Sequence, residues 1–195
     1  MTNTGLILAS ASPRRAALLS EAGYPFVVQT ADLNEEAYFG KHLPIQLAAF
    51  LAKAKAEHVS RRFGYEVTLA ADTVVAFGDT ALGTPRYEVE AREMIDLLSG
   101  TTHVVITGIS VRCPARDIDL HSTVMSAVRM RVLSPREIDQ YVASGRWKGK
   151  AGGYGIQDAD PIVTCVGGSV SNIIGLPMEQ TRFLLNQAGI VPQVR

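Results

Sequence analysis

The sequence predicts an α/β protein with a mixed, twisted β-sheet and flanking helices, and three observations carry that prediction. Apolar runs of strand length alternate with segments of helical periodicity along most of the 195 residues. Two β-rich stretches, 102–113 and 120–133, are separated by the turn-forming "PARD" and are most easily antiparallel, so the sheet is mixed. No internal repeat, low-complexity tract or polar linker divides the chain. With 47% hydrophobic and 19% charged residues, it is long enough for a sizeable core and short enough for one domain over residues 1–195.

Leu6 to Ala9 read as a buried strand. Ser10 or Ser12 caps the helix that follows, and Pro13 fits its first turn, where no backbone donor is needed. Arg14 and Arg15 then stand at the helix start, whose partial positive charge disfavours each by roughly 0.3–1 kcal/mol unless an anion lies nearby. "YPFVVQTADL" (24–33) reads as a strand, and residues 43–62 place Leu47, Phe50, Leu51, Ala54 and His58 at helical spacing. "EVTLAADTVVAF" (66–77) is a long apolar strand, and "EVEAREMIDLLSG" is a helix stopped by Gly100. In "SPREIDQYVASG", Ser134 and Glu137 form a capping box, Pro135 takes the first position and Gly145 ends the helix. The glycine-rich "GKAGGYGIQ", the β-like "PIVTCVGGSV" and a helix from about 177 to 186 complete the order.

Lys plus Arg and Asp plus Glu both number 19, so no global field draws the chain to nucleic acid or anionic lipid, and any anion site must be local. Cys113 and Cys165 form no C-x-x-C pair and the first residues lack a secretory pattern, which makes a cytoplasmic location the expectation. The apolar runs fall short of the ~18 residues of a membrane-spanning helix. His42, His58, His103 and His121 show no close pairing of the zinc-site kind and read as surface or core residues.

Asp72 interrupts an apolar strand, where burying a lone carboxylate is costly. It either ends the strand and accepts backbone hydrogen bonds, or serves as a metal ligand or general base on a rigid element. Lys55, four residues after Leu51 and four before Val59, lies along the apolar side of its helix, so it either snorkels or meets a buried anion. The segment 145–157 is not a Walker loop: Gly145 is one residue too close to Gly149 and Lys150, and Ala151 stands where Ser or Thr would bind magnesium. Nor does it satisfy G-x-G-x-x-G. It remains either a tight turn or a loop that brings backbone close to a ligand, with Tyr154 and Gln157 available for stacking and amide recognition.

"LASASPRR" (8–15), "ADLNEE" (31–36), "LAKAKA" (51–56), "AADTVV" (70–75), "SGTTHVVITG" (99–108), "KAGGYGIQ" (150–157) and "GLPMEQT" (175–181) occur in an order and spacing that resemble the Maf nucleotide pyrophosphatases, also described as septum-formation-inhibitor proteins. The resemblance implies two lobes around a deep cleft, as in the Maf and ITPase-like folds, and hydrolysis of a nucleoside triphosphate to the monophosphate and pyrophosphate. By motif, Asp72 matches the family's proton acceptor. Arg14, Thr73 and Gln157 match positions tied to substrate choice, Ser10, Arg15 and Lys55 match residues lining the phosphate site, and Glu35 matches an acidic position that helps hold the metal with Asp72. A divalent cation, magnesium or manganese, and a homodimer are implied in the same way.

"ADT" and "GYGIQ" resemble the subgroup acting on dTTP and UTP, and the Gln157 amide offers both donor and acceptor to a pyrimidine edge. Two alternatives stand beside that expectation: a 7-methyl-GTP or other modified-purine pyrophosphatase, and a non-catalytic nucleotide-binding regulator of septum formation. The chain departs from the family at Thr84, where a lysine is usual, and at Asp158, where glycine is usual. Arg86 restores the missing charge if its loop turns inward. Because adjacent strand residues point to opposite faces, Asp72 and Thr73 share one site only at a strand end or bulge, so an irregularity is expected there.

Overall fold

The computed structural model describes residues 5–193. Its elements are β1 (Leu6–Leu8), α1 (Pro13–Glu21), β2 (Val27–Val28), α2 (Pro44–Ser60), β3 (Val67–Phe77), β4 (Thr80–Leu82) and α3 (Glu88–Leu98), then β5 (Thr102–Cys113), β6 (Ile118–Met130), α4 (Pro135–Ala143), β7 (Val163–Gly167), α5 (Val170–Ile174) and α6 (Met178–Gln187). A short 3-10 turn, Glu35–Tyr38, precedes α2. The seven strands form one mixed sheet in the order β2-β1-β3-β5-β6-β7, with β4 paired to β3. β1 runs parallel to β2 and β3, and the β3-β5, β5-β6 and β6-β7 pairs are antiparallel. The α/β reading with a mixed sheet holds.

Local chemistry accounts for the helix ends. Ser12 caps α1 by accepting from the Arg15 amide, and in α4 the Ser134 amide bonds Glu137 at 2.8 Å while the Ser134 hydroxyl accepts from the Glu137 amide. The strand read over 24–33 shrinks to Val27–Val28, because its only partner is a three-residue strand that ends at Leu8. In α2 the buried stripe is Leu47, Ala48, Leu51, Ala52, Lys55, Ala56 and Val59. Phe50 and His58 lie off that face; Phe50 instead stacks on His42 and packs at a tilt against Tyr38. Small residues bring α2 down onto the sheet, and a Cβ built on Gly108 of β5 would stand 2.3 Å from the Ala48 carbonyl oxygen.

The irregularity expected at Asp72, a strand end or a bulge, is absent. β3 stays in register with β5 from Thr68↔Arg112 to Ala76↔Val104, through Asp72↔Gly108 and Thr73↔Thr107. What changes is its other edge. β1 covers that edge only to Leu8↔Leu69, and β4 takes it up only at Val75↔Leu82. Residues 70–74 therefore have no strand beside them on that edge, and a regular strand exposes side chains from both faces to one notch.

The same point divides the core. On one face of the sheet, Val67, Leu69 and Ala71 join a cluster with Leu19, Leu176 and Leu185, whereas Val75 joins one with Ile95, Trp147 and Tyr154. On the other face, Ala70 packs with Ile7 and Val59, and Val74 with Leu47 and Leu51. Asp72 and Thr73 sit between these clusters, one on each face. An adjacent polar pair in an otherwise apolar strand thus marks the boundary between the core clusters on both faces.

Candidate active site

A cleft of about 970 Å³ opens at this notch, lined by the start of α1, the 3-10 turn, the centre of β3, the loop after β4 and the glycine-rich segment. It is large enough for a nucleotide-sized ligand. Six cationic side chains (Arg14, Arg15, Lys55, Arg86, Lys148 and Lys150) line it against four acidic ones (Glu35, Glu36, Asp72 and Glu90). In a chain with no net charge, positive charge is locally in excess, as the sequence required of an anion site.

Asp72 is 5% exposed. Its Oδ1 meets the Lys55 ammonium at 2.5 Å, and the same ammonium lies 2.8 Å from Glu35 Oε1. Lys55 is held there because α2 is pressed against the sheet; it does not snorkel. Burial raises the Asp72 carboxyl above the usual carboxylate range, opposed by the nearby Lys55 and Arg15 charges. A carboxylate whose basicity is raised while it remains paired is suited to accept a proton. Its Oδ2 accepts no hydrogen bond among the described residues, so one oxygen is left for the cleft.

The two arginines of α1 behave differently. Arg15 is fixed within the protein: Nε donates to the Gly175 carbonyl at 2.7 Å, Nη1 to Ser10 Oγ at 3.1 Å and Nη2 to Thr73 Oγ1 at 3.0 Å. Ser10 also accepts from the Ser12 amide, so it joins the strand exit to the helix cap. Arg14 crosses the cleft to donate to the Gly149 carbonyl at 2.7 Å, tying α1 to the glycine-rich loop. Burial lowers the pKa of both, with Asp158 opposing the effect at Arg14 and Asp72 at Arg15.

The glycine-rich segment is more than a tight turn. Gly152 has φ +68°, and a Cβ there would stand 2.8 Å from Val75 Cγ2, so only glycine lets the loop lie on β3. Tyr154 is buried and bonds His103 Nε2 at 2.6 Å, which removes it from stacking on a ligand. Gln157 lines the cleft, exposed, and its amide makes no hydrogen bond among the described residues. Asp158 pairs with Lys150 and accepts from the Tyr141 hydroxyl, so it braces the loop. Arg86 does not turn in alone. It is exposed at the rim, paired with Glu36 at 2.9 Å and Glu90 at 3.0 Å, while Thr84 stands exposed beside it.

The model of the Maf-like protein family matches residues 5–188. The chain belongs to the Maf family. Among curated relatives, a dTTP/UTP pyrophosphatase of Hyphomonas neptunium is 45% identical over 186 residues, covering 94% of this chain and 95% of its own. A dTTP/UTP pyrophosphatase of Zymomonas mobilis is 44% identical over 191 residues, covering 95% and 92%. Among solved structures, the Staphylococcus aureus Ham1 protein aligns with a TM-score of 0.54 at 11% identity, covering 95% of this chain and 98% of its own, which is a likeness of fold.

In this Maf chain all the residues singled out in the sequence, namely Ser10, Arg14, Arg15, Glu35, Lys55, Asp72, Thr73 and Gln157, line one cleft. Sequence reasoning passed over Thr107 and Asn172. Thr107 Oγ1 lies 2.9 Å from Thr73 Oγ1 and donates to the Asn172 carbonyl at 3.2 Å; the Asn172 amide in turn bonds the Val105 carbonyl and Ser126. The available signal was the one that exposed Asp72: Thr107 is a polar residue in the apolar run "VVITGIS". α5 was also passed over: the β-like reading of "PIVTCVGGSV" ran to Val170, its first residue, although Ser169 is its cap.

Proposed function

We propose that this Maf protein hydrolyses pyrimidine nucleoside triphosphates, dTTP and UTP above all, to the monophosphate and pyrophosphate. The observation that carries this is Asp72, a buried carboxylate with one free oxygen at the open edge of β3, in a cleft where cations predominate. The names of the Hyphomonas and Zymomonas relatives support the reaction and the base. The free amide of Gln157 supports a pyrimidine edge.

In this mechanism a water molecule forms a bond to the α-phosphorus and passes a proton to Asp72 Oδ2. The bond from the α-phosphorus to the bridging oxygen breaks, and pyrophosphate leaves with that electron pair. Arg14 and Lys55 answer the charge on the triphosphate, and Arg15, held by Ser10, Thr73 and Gly175, offers its remaining N–H groups in a fixed orientation. Arg86 already serves two carboxylates, so it contributes less than an inward-facing lysine would.

The residues fit a divalent cation. Glu35 and Asp72 reach a common point, since one ammonium touches both, and magnesium is held by one or two carboxylates with phosphate and water completing its shell. When bound, magnesium or manganese would neutralise phosphate oxygens and acidify a coordinated water. The same proposal places the protein in the reducing cytoplasm, where Cys113 and Cys165 stay free.

Pyrophosphate release from UTP, dTTP, CTP, GTP and 7-methyl-GTP, with magnesium, manganese or chelator, tests the reading. Turnover of UTP and dTTP that chelator abolishes is expected. Preference for 7-methyl-GTP would overturn the base assignment, and tight binding without turnover would make the protein a regulator.

A further inference from the structure

The 3-10 turn Glu35–Tyr38 carries the carboxylate that faces Lys55, yet none of its four residues is buried. Its far end is seated by aromatic contacts: Tyr38 lies against Phe50 of α2 with ring centroids 4.7 Å apart, and Phe39 fills the space beside Gly83, where a Cβ would stand 2.7 Å from the ring. Its near end has no such packing. Among the described residues, the side chains of Glu35 and Glu36 each make one ion pair, with different elements: Glu35 with Lys55 of α2 at 2.8 Å, and Glu36 with Arg86 at 2.9 Å. Three residues complete one turn of a 3-10 helix, so neighbouring side chains diverge by about 120°. Two ion pairs in diverging directions fix the rotation of the turn, which one alone would leave free to roll.

Arg86 is placed to hold its side. Its backbone amide donates to Glu90 Oε2 at 2.8 Å and its Nη2 to Glu90 Oε1 at 3.0 Å, so α3 sets the guanidinium independently of Glu36. The loop that carries it is tied to the glycine-rich segment, because the Gly83 carbonyl accepts from the Gly152 amide at 2.9 Å. An isolated exposed ion pair contributes little, but one arginine shared by carboxylates of two different elements is a network with a set geometry. We propose that Arg86 is a positioning residue for the cation site: by holding Glu36 it sets the turn so that the Glu35 carboxylate stays aimed at the point it shares with Asp72. This rests on the divalent-cation reading given above.

The sign of one effect supplies the test. By Coulomb attraction alone, removing a positive charge near a cation site tightens the cation, whereas removing a residue that positions a ligand loosens it. Mn²⁺ is titrated into the nucleotide-free protein and read from the loss of the free-ion EPR signal, in the wild type, Arg86→Ala, Glu36→Gln, Glu35→Gln and the double variant Arg86→Ala with Glu35→Gln. Arg86→Ala and Glu36→Gln are each expected to weaken Mn²⁺ binding by about threefold or more, in the same direction although they change the charge oppositely. Once Glu35 is gone, Arg86→Ala should weaken it no further. The Mn²⁺ concentration giving half-maximal UTP hydrolysis should rise in parallel. Tighter or unchanged Mn²⁺ binding in Arg86→Ala overturns the proposal, and so does a weakening that persists in full without Glu35. A wild type that neither binds Mn²⁺ nor requires it for hydrolysis overturns the cation reading itself, and the proposal with it, before any variant is made.

Discussion

Asp72 is expensive to bury and is retained with its charge compensated on one oxygen only. Asp72→Asn should lower kcat/KM for UTP on the order of 10²-fold or more while the melting temperature moves by only a few degrees. Removing one member of a buried pair usually destabilises strongly, but here Glu35 still partners the Lys55 ammonium. Near-wild-type turnover would make Asp72 a structural residue. His103 gives a prediction of opposite kind. Burial lowers its pKa to about 4, and its Nδ1 has no partner among the described residues. The unfolded chain therefore takes up the proton first as pH falls below about 6.5, so this contribution is complete above that pH and is lost on acidification. Between pH 6.5 and 5 the loss should be about 2 kcal/mol in urea denaturation, and His103→Gln should flatten that slope. Both residues were visible in the sequence, but only Asp72 was read for its cost; His103 was read as one ordinary histidine of four.

At the scale of elements, α2 shows what periodicity can and cannot give. A helix over this segment was legible, yet the stripe through Phe50 and His58 was misplaced by one step, because small alanines rather than large side chains face the sheet. The close approach at Gly108 is what puts Lys55 within reach of Asp72. Gly108→Ala should cost roughly 1–3 kcal/mol by overpacking and, by lifting α2, should lower activity more than stability alone explains. Thermal melting and UTP hydrolysis measured on the same preparation check this, and a fully active variant would show that Lys55 does not depend on that contact. The capping box and the boundaries of α4 were readable because they are written in consecutive residues. β2 and β4 were not, since their lengths depend on where a neighbouring strand ends.

For the whole molecule, the site exists because β1 and β4 leave residues 70–74 of β3 uncovered between them. The sequence shows Asp72 and Thr73 as adjacent polar residues in an apolar strand, and strand alternation predicts a strand end or a bulge to bring them together. A missing neighbour does the same work without distorting the strand, and no local pattern encodes it. The convergence of Arg14 with Gly149, and of Arg15 with Gly175, likewise joins residues more than a hundred positions apart. In the proposed mechanism this notch directs water to the α-phosphorus. Hydrolysis of UTP by the wild-type protein in ¹⁸O-labelled water, followed by ³¹P NMR, tests it most directly. Label in UMP and none in the released pyrophosphate is expected; label in orthophosphate, with UDP as the other product, would contradict attack at the α-phosphorus.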